Sequence, residues 1–304
     1  MQGWTTYGIV GPTASGKSKV ANKLIKTGKC IIINADSQQI FWHLPILSAI
    51  PQDLSGHVLY GILDHNDVGN FSVAKWAKLV HEEVKFVHSQ GKIAILVGGT
   101  GMYFKALQDG IVQMPELNND IESYVSNLTI EQLKSHVSNQ YAAIIHDRRR
   151  LQKAAGIFLQ TNKHIEEWYC GKRDFKLPIK VYALLPDRIQ IWRNIEKRLA
   201  RLDEMICQVI EFSSKHKCDI EMIGYDEILE FIHEFKINSV DQYLAISGSE
   251  FEAKKKELKE IVLYRTRQYA KRQSTYIRNC LDAEIINDAD ILYEKLIDSL
   301  NQHE

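Results

Sequence analysis

The chain has 304 residues, 45% of them hydrophobic and 25% charged, with 38 Lys or Arg balanced by 38 Asp or Glu. That length can bury one good core and carry a smaller second unit, and zero formal charge excludes a protein coated in positive charge for nucleic acid. No apolar run approaches the roughly 20 residues of a membrane span, and the sequence enters a strand pattern without a charged and apolar leader. A cytoplasmic protein with no membrane partner is expected, and nothing in the sequence demands more than a monomer.

Residues 5–10 (TTYGIV), 30–34 (CIIIN), 93–97 (IAILV) and 178–185 (PIKVYALL) are short runs rich in β-branched residues, as buried parallel strands require. Helical patterns separate them. Val73, Trp76, Ala77, Val80, Val84 and Val87 recur at spacings of three and four and mark one packed helix face. This alternation predicts an α/β fold with a three-layer core around a parallel sheet. After Met114-Pro115 the strand signals stop, and the stretch to Lys172 reads as a small, mobile helical insertion. The expected organisation is a core part over 1–114, the helical insertion over 115–172, and core completion with basic helices over 173–304. From Asp187 onward the chain reads as helical, with Ile191, Ile195, Leu199 and Leu202 on one face.

Gly11-Pro12-Thr13-Ala14-Ser15-Gly16-Lys17-Ser18 follows the first strand and opens a helix, the context of a P-loop. Glycines let backbone N–H groups curl around phosphate, the helix N-terminus adds partial positive charge, Lys17 neutralises phosphate and Ser18 can hold Mg²⁺. The strand expected to end in a Walker B acid runs instead into Gly98-Gly99-Thr100-Gly101. An acid does follow the second strand, in Asn34-Ala35-Asp36-Ser37-Gln38-Gln39, at the sheet edge where open α/β folds place ligands. Asp36 is therefore expected to face the phosphate site, a helix N-cap being the structural alternative. Thr100, on a second tight turn at that edge, presents a hydroxyl. Charge is concentrated late in the chain. Between Ala253 and Asn279 lie Lys254, Lys255, Lys256, Lys259, Arg265, Arg267, Lys271, Arg272 and Arg278 against two acids, Glu257 and Glu260. Five cysteines, Cys30, Cys170, Cys207, Cys218 and Cys280, are widely spaced without a CxxC pair, so reduced thiols are expected.

Taken together, GPTASGKS, INADSQQIF, LVGGTGMYFKAL, HDRRRLQKAAGIF, IGYDEIL and TRQYAKRQSTYIRN resemble, in order and spacing, the tRNA dimethylallyltransferases. The resemblance implies a P-loop NTPase-like core whose loop, residues Gly11 to Ser18, binds the diphosphate of dimethylallyl diphosphate without consuming a nucleoside triphosphate. Such loops are nonetheless often called ATP-binding. The implied reaction transfers the dimethylallyl group to N6 of the adenine adjacent to the anticodon in tRNAs reading codons that begin with U, with Mg²⁺ at Ser18 as cofactor. Asp36 is the implied general base, Thr100 assists the departing diphosphate, and Arg188 and Arg198 sit where arginines are expected near it. The adenine is flipped from its stack at a cost of a few kcal/mol, which contacts to the anticodon stem-loop must offset. Asp36, Ser37, Gln38, Gln39, Arg150, Lys153, Arg267, Lys271, Arg272 and Arg278 are the implied tRNA contacts.

Several positions depart from the family pattern. Gln38 replaces an arginine, Leu47-Ser48-Ala49-Ile50 stands for glycine, threonine, alanine and lysine, Lys153 for arginine, Gly156 for glutamate and Tyr276 for tryptophan. An arginine expected shortly after Met114-Pro115 is missing. Alternatives are an enzyme prenylating free adenine nucleotides, a small-molecule P-loop kinase, and a non-catalytic RNA-binding protein.

Overall fold

A computed structural model describes residues 5–64, 71–216 and 220–302; Cys218 lies outside them. The chain divides into two compact units, Met1–Gln108 with Leu177–Glu304, and Asp109–Lys176. The larger unit opens with β1 (Thr6–Val10), α1 (Lys17–Ile25), β2 (Cys30–Asn34), α2 (Pro45–Ser48), β3 (His57–Val58), α3 (Val73–Ser89), β4 (Ile93–Gly98) and α4 (Gly101–Asp109). The smaller contains β5 (Ile111–Val112), α5 (Asn119–Ser126), α6 (Ile130–Ser135), α7 (Asn139–Ile144), α8 (Arg148–Thr161), α9 (Ile165–Trp168) and β6 (Arg173–Asp174). The chain returns to the larger unit with β7 (Ile179–Leu184), α10 (Arg188–Arg198), α11 (Leu202–Lys215), α12 (Tyr225–Glu234), α13 (Val240–Ala245), α14 (Ser249–Cys280), β8 (Glu284–Ile286) and α15 (Ala289–Asn301).

Six strands form one sheet in the order β3-β2-β4-β1-β7-β8, and every pairing is parallel. Gly8 lies opposite Leu96 on one side and Val181 on the other. Ile9, Ile32, Ile33, Ile95 and Leu96 are fully buried, as strands covered on both faces must be. Helices supply the cover with the faces read from their periodicity. Ser72 caps α3, accepting from Lys75 N at 3.3 Å, and Trp76, Ala77, Val80, Val84 and Val87 turn inward. Ile191, Ile195, Leu199 and Leu202 join a core shared with α11, α12 and α14.

The expectation of helix alone after Asp187 is corrected by β8, which pairs with β7 as Tyr182 with Glu284 and Leu184 with Ile286. Three residues give no readable alternation, and the partner strand decides their conformation. The smaller unit spans 109–176 rather than 115–172, because β5 and β6 pair antiparallel and belong to it. Its core comprises Val125, Leu133, Val137, Leu151, Ala155 and Ile157 among others, and its helices are capped by Asn118, Thr129, Ser138 and Asp147. Gly156 gives room to a neighbour there, since a Cβ would lie 2.4 Å from Leu117 Cδ1. Cys30, Cys170, Cys207 and Cys280 are free, and burial pushes the Cys30 thiol up to about 12. Among the described residues no helix is long and apolar enough to cross a membrane.

Trp76 joins α3 to the sheet edge that carries the site. It is fully buried, stacks on Tyr103 at a centroid distance of 4.0 Å, and donates from Nε1 to Asn34 O at 3.1 Å. Trp76→Phe keeps an aromatic ring but strands that carbonyl, and is expected to cost about 1–3 kcal/mol, read as a lower midpoint at unchanged slope in urea unfolding.

Candidate functional site

The loop after β1 turns back on itself to make a cradle. Gly11 N donates to Gly98 O at 3.3 Å and Ser15 N to Pro12 O at 3.2 Å. Ala14 has a φ of 63° and Gly16 of 100°. A left-handed alanine is strained, and Asn194 Nδ2 helps to hold it by donating to Ala14 O at 2.9 Å. Lys17 begins α1 with its Nζ 2.8 Å from both Gly11 O and Pro12 O. Ser18 is exposed.

Asp36 sits at the end of β2, buried at 9% exposure. Its Oδ1 accepts from Gln38 N at 3.0 Å, and its Oδ2 from Gly99 N at 3.0 Å. The first bond makes an Asx turn and the second reaches across to the turn after β4. That turn is glycine for steric reasons. A Cβ at Gly98 would lie 1.9 Å from Ala35 O, and one at Gly99 would lie 2.9 Å from Asp36 Oδ2. Thr100 Oγ1 accepts from Ser37 N at 2.8 Å and donates to Ser37 Oγ at 3.0 Å, so threonine and serine tie the two loops together.

These loops open onto a cavity of about 320 Å³ lined by Thr13 to Ser18, Asp36, Gln38, Gln39, Tyr60, Arg198 and Tyr269, with apolar walls from Leu47, Leu199, Met205, Ile223 and Val262. Arg198 Nη1 donates to Thr13 Oγ1 at 3.2 Å and Nη2 to Leu47 O. Burial lowers the Lys17 ammonium to about 8; Asp36 opposes that shift and Arg198 adds to it. Burial also lowers Arg198, again opposed by Asp36, though a guanidinium stays charged. Lys17 and Arg198 therefore face one acid, Asp36, among the described lining residues, an arrangement that attracts an anion. Burial, with Asp36 adding, pushes the hydroxyls of Tyr60 and Tyr269 well above their ordinary value, which keeps them as neutral donors and acceptors.

The other expected site residues divide into those at the cavity and those away from it. Arg188 lies outside it, exposed, with its guanidinium 4.1 Å over the Trp192 ring. Positions 188 and 198 lie ten residues apart on one helix, or about 15 Å of rise, so one small ligand headgroup does not reach both. Gln38 Nε2 donates to Glu221 O at 3.1 Å and its Oε1 accepts from Ile223 N at 3.2 Å. Gln39 Nε2 donates to Ala49 O at 2.7 Å. On α14, Lys271, Arg272 and Arg278 are exposed, whereas Arg267 pairs with Glu196 and lies 4.8 Å over Trp192. In the smaller unit, Arg150 is exposed beside its cap Asp147, and Lys153 Nζ donates to Pro115 O at 3.2 Å. Asn194, Tyr269 and Gln273 were not legible as site residues, since an amide or phenol inside a helical pattern carries no spacing signal.

A strand, a glycine-rich cradle and a helix N-terminus with a buried lysine, at the carboxyl edge of a parallel sheet, define an α/β protein with a P-loop-like core. A family model described as IPP transferase matches residues 39–280, and the chain belongs to that family. It is 29% identical over 302 residues to a tRNA dimethylallyltransferase of Rickettsia massiliae, covering 91% of this chain and 77% of the relative. It is 30% identical over 309 residues to one from Zymomonas mobilis, covering 95% of this chain and 93% of the relative. The fold is like that of a solved eukaryotic dimethylallyltransferase acting on tRNA, with a TM-score of 0.73 at 21% identity over 95% of this chain and 75% of that one.

Lys17 supplies the anion with charge only while protonated. Affinity for inorganic pyrophosphate is expected to fall as pH rises through about 8. Isothermal titration over that range should show a steeper loss for the wild type than for Lys17→Met, which has no ammonium to lose.

Proposed function

We propose that this chain carries a dimethylallyl group from dimethylallyl diphosphate to N6 of an adenine next to the anticodon of tRNA, giving N6-isopentenyladenosine. The carrying observation is the cavity in which the cradle, Lys17 and Arg198 face a single carboxylate and apolar walls, in a chain whose relatives over nine-tenths of its length are tRNA dimethylallyltransferases. The diphosphate lies on the backbone N–H groups of residues 16–18 with Lys17 and Arg198, the N–H groups of Thr13 and Ser15 being taken by Gln273 Oε1 and Pro12 O. The prenyl chain lies against Leu47, Met205, Ile223 and Val262. In the transfer the C1–O bond to diphosphate breaks and the C1–N6 bond forms. Negative charge then grows on the departing oxygens, where prearranged donors and cations stabilise it, while the apolar walls exclude water from the allylic cation. Asp36 takes the N6 proton, because it carries the lining carboxylate and the tyrosines stay protonated. Thr100 fixes Ser37 and the turn bearing Gly99, and so acts on the same face.

The Ser18 hydroxyl, exposed beside Lys17, is an oxygen donor that would hold Mg²⁺. Among the described residues no three or more His, Cys, Asp or Glu gather to hold a metal. Held there, Mg²⁺ would supply positive charge to the diphosphate oxygens alongside Lys17 and Arg198. The exposed Lys271, Arg272 and Arg278 on α14 contact the phosphates of the anticodon stem-loop, and Arg150 and Lys153 are separate tRNA contacts of the smaller unit. The protein works as a cytoplasmic monomer.

Purified protein with Mg²⁺ and radiolabelled dimethylallyl diphosphate is expected to label N6 of adenosine in unmodified tRNA. Label on free AMP would instead assign a nucleotide prenyltransferase, and phosphoryl transfer from ATP without prenyl label would assign a kinase. In the same assay Asp36→Asn is expected to lose about 10²–10⁴-fold in rate, the range of a general base; near-wild-type turnover would remove Asp36 from that role. Replacing Lys271, Arg272 and Arg278 together by Ala is expected to weaken tRNA binding and flatten the slope of log affinity against log salt by about 2–3, measured by filter binding across a salt series.

A further inference from the structure

The stretch that places Lys271 and Arg272 on the surface turns the next side chain inward. Gln273 is 6% exposed on α14. Its Oε1 accepts from Thr13 N in the phosphate cradle at 2.8 Å, and its Nε2 donates to Gly99 O at 2.9 Å. The tyrosine one turn earlier, Tyr269, lines the cavity. Both ends of the amide are specified, since one faces an N–H and the other a carbonyl; the flipped amide would set donor against donor. Each anchor also holds a group of the site. Thr13 Oγ1 accepts from Arg198, and Gly99 N donates to Asp36.

We infer that Gln273 is a positioning residue that interlocks the diphosphate cradle with the turn holding the catalytic carboxylate, so that α14 sets the distance between leaving group and base. The inference rests on the prenyl-transfer reading above. The interlock is close-fitting as well as hydrogen-bonded. A Cβ at Gly99 would lie 2.3 Å from Gln273 Nε2, and one at Gly101 would lie 2.4 Å from the Tyr276 ring, so α14 presses directly on the turn after β4. The same helix presents Lys271 and Arg272 to solvent, which places the tRNA-facing charges next to the residue that spans the site.

Two substitutions separate positioning from filling space. Gln273→Leu keeps the bulk and makes neither bond. Gln273→Glu as a carboxylate can accept from Thr13 N but cannot donate to Gly99 O; protonated, it offers one O–H and one acceptor and restores both bonds. Groups around that position act on the protonation of the glutamate in both senses. The Asp36 carboxylate favours its neutral form, and Lys17, Arg198 and Arg272 its charged form, while Tyr103 and Tyr269 stay protonated and add no charge. Tyr276 on the same helix adds a neutral phenol.

Gln273→Leu is expected to lower kcat about 100-fold, the scale of an ångström of misplacement at a reacting centre, while affinity for inorganic pyrophosphate falls about tenfold, the scale of one buried hydrogen bond lost. For Gln273→Glu, the ratio of its kcat to that of the wild type should rise as pH falls, whereas the ratio for Gln273→Leu should stay flat. Wild-type kcat in Gln273→Leu, or a flat ratio for Gln273→Glu, would overturn the interlock. Wild-type protein that transfers no label to tRNA would overturn the prenyl-transfer reading instead. The pyrophosphate titration still judges the interlock in that case, because unchanged affinity in both variants removes it.

Discussion

Everything in the larger unit is organised around two cations withdrawn from bulk water that share a cavity with one carboxylate among its described lining residues. Taking charge out of water is costly, and burial is tolerated only with well-placed partners. Here the partners are largely backbone. Lys17 is met by the carbonyls of Gly11 and Pro12, Arg198 by Leu47 O and the Thr13 hydroxyl, and Asp36 by the N–H groups of Gln38 and Gly99. Carbonyls and hydroxyls satisfy donors without cancelling charge, so the cavity keeps its attraction for an anion. The parallel sheet exists, in this sense, to bring three loop ends to one edge with their backbone groups already aimed.

The close approach of those loops explains why small residues crowd the edge. Gly98 abuts the backbone of Ala35, and Gly99 lies against Asp36 and Gln273. Departures from the family pattern are absorbed locally. Ile50, where lysine is usual, packs against the core on the β1 side of the sheet, exchanging a charged reach for apolar burial. Gly156, where glutamate is usual, gives its space to Leu117 and Ile121. Tyr276, where tryptophan is usual, still lays a ring on Gly101. Ile50, Gly156 and Tyr276 lie outside the cavity, whereas the departures at Gln38, Leu47, Ser48 and Ala49 line it beside Lys17 and Asp36.

What the sequence could disclose followed from how local each signal is. Strands β1, β2, β4 and β7 were legible as β-branched runs, and the cradle as a glycine pattern between strand and helix. The inward face of α3 was legible from spacing alone. Strand β8 was not, because three residues with no alternation take their conformation from β7. Arg188 and Arg198 carry equal weight in sequence, and only the length of α10 separates the one at the cavity from the one stacked on Trp192. Gln38 and Gln39 line the cavity and also bond backbone atoms at residues 221–223 and 48–49, partners that no local pattern discloses. Gln273 was hidden by chemistry, being one neutral amide inside a basic helix whose partners lie at the other end of the chain.

That separation sets an order on how the protein is made. Thr13 and Gln273 are 260 positions apart, and contacts so distant in sequence form late, after long loops have closed. Synthesis runs from the cradle toward α14, so the phosphate loop is finished as sequence long before it is finished as geometry. A nascent chain halted short of residue 273 carries the loop's glycines and lysine without the amide that joins Thr13 to the turn at Gly99. Only a chain long enough to hold α14 has a loop braced across to the turn after β4.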